Sequence, residues 1–78
     1  MAGIQYVNRV KKEQQLCDDF NRMYAEGTLV KYWTGVKEGE PSGIGKTRST
    51  AQMMCGHSVV WIEGYRSCVG LSHIEVAE

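Results

Sequence analysis

Apolar positions follow two different periods along this chain. Through the first third they recur at spacings of three, four and seven: Tyr6, Val10, Cys17, Phe20 and Tyr24, joined by Val7, Leu16 and Met23. Arg9, Lys11, Lys12, Glu13, Asp18, Asp19 and Arg22 fall on the other face. That period predicts a helix over residues 8–26, inside an N-terminal helical segment 1–27. Asn8 is a candidate cap for a late start, and Gly27 a candidate left-handed residue at the end.

Beyond Gly27 the period shortens to two. TLVKYWT, residues 28–34, is rich in β-branched and aromatic residues, with Val30 and Tyr32 opposite Leu29, Lys31 and Trp33, and reads as a strand. SVVWIE, residues 58–63, is a nearly continuous apolar run, as expected of a strand covered on both faces. SCVGLS, 67–72, follows it across the short glycine turn GYR, and IEV, 74–76, is a last short strand. RSTAQMM, 48–54, suits either a strand or a short helix, with strand the preferred reading. The polar, glycine-rich stretch 35–47 is expected as a long loop outside the sheet. The sum is an α+β fold in one domain, 1–78: a helix, then four or five short antiparallel strands within 28–78. Strands this short close most economically into a small barrel, which removes exposed edges.

A chain of 78 residues buries only about 60% of the surface its unfolded form exposes, so its stability margin is thin and a partner would add to it. Nine basic residues balance nine acidic ones, so any attraction to nucleic acid or an anionic membrane has to be local. The three cysteines are too few and too scattered for a disulfide framework, which points to a reducing cytoplasm. The first fifteen residues lack the basic start and apolar run of a secretion signal, and no stretch approaches a membrane span, so no membrane partner is expected.

GEPSGIGKTRST, residues 39–50, approaches the pattern of a phosphate-cradling loop. Gly45, Lys46 and Thr47 fit its end, but Glu40 stands where the first glycine belongs, and a carboxylate there would repel the anion. The flanking stretches also lack the buried strand and the following helix that complete such a site. The segment therefore reads as a connection whose Lys46 and Arg48 are available to an acidic partner or a phosphate. Cys17, Cys55, His57, Cys68 and His73 are zinc-ligand types without zinc spacing, because only Cys55 and His57 are close neighbours. Cys68 and His73 lie five apart with no carboxylate evidently placed to orient the imidazole, so no catalytic residue, metal or cofactor is expected.

Aromatic residues beside charge are the remaining candidates. Trp61, inside VVWIE, is expected in the core. Trp33, beside Lys31 and Lys37 at the mouth of the long loop, is expected at a binding surface. The predicted contact residues are Trp33, Lys37, Lys46, Arg48 and Arg66.

The strand, long loop, three strands and terminal strand resemble an SH3-like barrel, and GLSHIEV resembles the turn between the last two SH3 strands. In that resemblance Ser72 and His73 occupy the turn, and Ile74 and Val76 return to the core. The acidic run and the terminal-turn proline that serve proline-rich ligands in SH3 domains have no counterpart. The architecture is also similar to type II dihydrofolate reductases, SH3-like chains that share one pore in a tetramer. Val69, Gly70, Leu71 and Ser72 stand where that family's ligand-contacting run would fall, without its glutamine and tyrosine. FNRMYAEGTLVKYWTG together with GHSVVWIEGYRSCVGLSHIEV resembles short phage and prophage proteins, which implies a cytoplasmic accessory protein acting on a host defence complex. The expected function is a non-enzymatic module that binds a protein partner. A nucleic-acid-binding barrel and a homo-oligomeric enzyme with a shared site are the alternatives, and the N-terminal helix is the expected surface for self-association.

Overall fold

A computed structural model describes the backbone of residues 2–77 and the side-chain surroundings of residues 8–77. One helix, α1 (Ala2–Met23), precedes six short strands: β1 (Leu29–Tyr32), β2 (Gly43–Lys46), β3 (Gln52–Met54), β4 (His57–Trp61), β5 (Cys68–Gly70) and β6 (Ile74–Val76). They form two antiparallel three-stranded sheets, ordered β2-β1-β6 and β3-β4-β5. The fold is therefore α+β, as the two periods predict, but among the described residues its six strands, against the four or five expected, stay in two sheets and do not close into a barrel.

The helix begins earlier and ends earlier than its apolar period suggests. Asn8 lies within it and is not its cap. The last turn closes where the Tyr24 amide donates to the Phe20 carbonyl at 2.8 Å. Gly27 does take a left-handed φ of 95°, but four residues past the helix end, where it aims the chain into β1. Its amide donates to the Thr47 carbonyl and Oγ, so a buried threonine takes up donors released at this reversal. Inward positions are Glu13, Cys17, Phe20 and Tyr24, all at least partly buried. Leu16 and Met23 were expected among them and are 47% and 66% exposed, because each stands one residue before Cys17 or Tyr24 and so is turned about 100° around the axis from the inward stripe. Tyr6 and Val7, expected on the same inward face, lie outside the described side chains.

Val30, Val60, Ile62, Val69 and Ile74 form the core cluster, with Phe20 of the helix packed against it. Glu13 accepts hydrogen bonds from both the amide and the hydroxyl of Ser58, at 3.0 and 3.1 Å. Ser58, Val60 and Ile62 alternate to one side of the strand, so the helix covers the inner face there. Ser58, Val59 and Val60 are all buried, the two-sided cover that the continuous apolar run predicts. β3 and β4 join through a tight reversal in which Cys55 and Gly56 both take positive φ, 52° and 82°, the conformation that matches the twist of a two-residue hairpin. The segment left open between strand and helix is thus strand over 52–54.

The stretch 35–47 is not a plain excursion. Residues 43–46 are β2, paired with β1 from Leu29 opposite Lys46 to Tyr32 opposite Gly43, and Thr47 is buried. Gly-Ile-Gly-Lys carries little strand propensity, and pairing supplies what propensity does not. The Tyr32 ring lies over Gly43, where a Cβ would clash. Among the described residues no helix is long and apolar enough to cross a membrane.

Candidate functional site

Past β2 the chain runs on beside the end of β4. The Glu63 amide donates to the Lys46 carbonyl and the Arg48 amide to the Trp61 carbonyl, both at 2.8 Å, flanking a bridge between Thr47 and Ile62. Thr47 and Ile62 are fully buried. Strand alternation therefore sends their neighbours Lys46, Arg48, Trp61 and Glu63 to the outer face.

The ladder then breaks. Arg48 faces Trp61 and Gln52 faces Val59, so Ser49, Thr50 and Ala51 together span the single step at Val60. Such a bulge re-aims side chains and bends the strand. Two side chains hold it. The Trp61 amide donates to Ser49 Oγ at 3.3 Å. From the helix, the Asn21 carboxamide accepts from the Ala51 amide at 2.7 Å and donates to its carbonyl at 2.9 Å, which replaces the missing strand partner.

The outcome is a shallow cleft of about 270 Å³ lined by Arg48, Ser49, Gln52 and Trp61. Trp61 is half-buried, and Cys68 stands opposite it on β5, extending the row across the sheet. Arg66 is exposed in the turn joining β4 to β5. Three of the five predicted contact residues, Lys46, Arg48 and Arg66, thus fall on segments that meet around Trp61.

The other two lie elsewhere, and the two tryptophans exchange the roles expected of them. Trp33 is 7% exposed, its indole N–H donating to the Gly39 carbonyl at 3.2 Å. Lys37 sits 5.5 Å over that ring and pairs with Glu75 at 3.3 Å. Trp33 is outward by alternation but roofed by the loop, so it is a packing residue and not an exposed anchor. Trp61, expected in the core, is the accessible tryptophan. Its parity relative to Val60 and Ile62 is hidden in the sequence, because every residue of VVWI is apolar.

A second cleft of about 390 Å³ borders the same sheet and reaches Glu13, His57, Cys68, Ser72 and His73. The Glu13 carboxylate there is engaged by Ser58. Among the described residues no three His, Cys, Asp or Glu side chains are placed to hold a metal. All three cysteines are unpaired: Cys17 is buried, Cys68 partly so and Cys55 exposed. Burial pushes the Cys17 thiol above its ordinary range, and the charge of Asp18 adds to the effect. That is the opposite of the activation a nucleophilic thiolate requires.

Compared with known proteins, the chain matches no family model, no curated protein and no solved structure.

Proposed function

We propose that the chain is a non-enzymatic binding module of SH3-like architecture, and that it engages a protein partner through the outer face around Trp61. The observation that carries this reading is the placement of a partly exposed tryptophan in a cleft built by a bulge, between Arg48 and Gln52. Tryptophan and arginine are the side chains that most often dominate binding energy at interfaces. An SH3-like architecture is supported by the pairing of the first strand with the last, by a single 3-10 turn, Leu71–His73, between the last two strands, and by the Thr47–Ile62 bridge that links the two sheets. Catalysis would need a nucleophile or acid–base pair in a shaped site, and the thiol most deeply buried is the one pushed toward its neutral form. A cytoplasmic setting belongs to the same reading, because an exposed free thiol such as Cys55 persists best where the surroundings are reducing. The likeness to phage and prophage proteins makes a host defence complex the partner to try first.

The test is photocrosslinking in cells, with a benzophenone amino acid at position 61 and, separately, at position 44, where Ile44 is 58% exposed on the other sheet. A discrete protein adduct from position 61 and none from position 44 is the expected result. Adducts from position 44 alone would move the interface to the first sheet and end this assignment.

A further inference from the structure

We infer that the partner presents an acidic segment to this face: an apolar side chain against Trp61, next to a carboxylate on Arg48. The inference rests on the binding-face reading above and adds the chemistry of the occupant. Alternation aims Lys46 and Arg48 to the same outer side as Trp61, with Glu63 across from Lys46, and exposed Arg66 lies in the turn that follows β4. This local excess of positive charge stands out in a chain whose nine basic and nine acidic residues cancel. Charge complementarity of this kind selects partners and orients them. A polyanionic nucleic-acid strand is the poorer fit. It needs cations to neutralise successive phosphates, whereas here Glu63 lies directly across from Lys46 and would face the strand. A peptide can set one carboxylate on Arg48 and place neutral residues opposite Glu63. Ser49 and Gln52 border the cleft with neutral hydrogen-bonding groups, which suit a peptide backbone beside the apolar contact. Lys37 is outside this set, since it is already paired with Glu75 and stacked on Trp33.

The two tryptophans provide the readout: Trp61 is accessible and Trp33 is buried, so a ligand on this face changes the emission of Trp61 alone. The full chain is titrated with three probes: a capped heptapeptide of Asp and Glu around one Phe, its counterpart of Lys and Arg around one Phe, and a deoxythymidine dodecamer. The acidic peptide is expected to bind tightest, with no emission change in Trp61→Phe. Arg48→Gln is expected to weaken it about tenfold, the equivalent of one charge-assisted hydrogen bond, while Lys37→Gln leaves it unchanged. Tighter binding of the basic peptide or the dodecamer, or indifference of the acidic peptide to Arg48→Gln, overturns the inference. If crosslinks still form at position 61 in that case, the face stands and only its chemistry is wrong. If they do not, the face falls with it.

Discussion

Trp33 points away from the core by strand alternation and is nonetheless buried, because residues 35–42 fold back across it. The Gly39 carbonyl takes its indole proton and Lys37 covers its ring. Trp61 follows the same alternation but has only a bulge beside it, so it stays partly exposed. The difference is energetic as well as geometric. Truncating a buried tryptophan costs about 3–5 kcal/mol, and a domain has a margin of only about 0.05–0.15 kcal/mol per residue. Trp33→Ala is therefore expected to lose a large part of that margin, and Trp61→Ala, whose ring is only partly covered, to cost less. Denaturant midpoints of the two variants check this, and equal midpoints would refute the assignment of core and surface tryptophans. The residue that holds the loop shut is thus separate from the residue offered to a partner, so binding can be weakened at Trp61 without losing the fold.

At the level of elements, strands with strong patterns were legible and the strand made of glycines was not. Residues 74–76 are strand as the sequence implies, and of the run 58–63 the residues 58–60 are covered on both faces while Trp61 and Glu63 are not. The segment 43–46 is strand only because β1 lies on one side and the end of β4 on the other, a tertiary cause invisible in Gly-Ile-Gly-Lys. The bulge at Ser49–Ala51 was hidden for the same reason, since it depends on Asn21, thirty residues away in the chain. Of the candidate site, the basic residues were legible and their convergence was not. Lys46 and Arg48 come beside Trp61 and Glu63 only once the Thr47–Ile62 bridge is made. One substitution pair isolates this element. A Cβ on Gly45 would lie 2.9 Å from the Glu63 carbonyl oxygen and 2.9 Å from Ile62 Cγ2, whereas one on Gly35 meets nothing within 4 Å. Gly45→Ala is expected to destabilise the protein by about 1–3 kcal/mol through overpacking, and Gly35→Ala to be close to neutral. Thermal melts of both variants decide it: if Gly45→Ala melts with wild type, residues 43–46 are not held between two strands.

For the molecule as a whole, the two sheets share one core, Val30 and Ile74 of the first meeting Val60, Ile62 and Val69 of the second, and the Thr47–Ile62 bridge ties their edges together. The helix is fastened to the second sheet at two places by polar side chains, Glu13 on Ser58 and Asn21 on Ala51, with Cys17 and Phe20 between them. Ser58 and Ala51 are both buried with the helix supplying their partners, and Phe20 packs on the core, so departure of the helix would strip those partners and open the apolar face beneath it to water. The helix is then part of the folding unit, and its loss should carry the sheets with it. Asn21→Ala strips both partners from Ala51 and is expected to cost about 1–2 kcal/mol, because Asn21 is itself exposed and water replaces part of what is lost. In wild type and variant alike, helical circular dichroism and the fluorescence of buried Trp33 should be lost in one coincident transition. A helical signal that melts first while Trp33 stays buried would make the helix an appendage. The face around Trp61 would then owe its shape to the sheets alone, because the bulge that builds the cleft would no longer need Asn21 behind it.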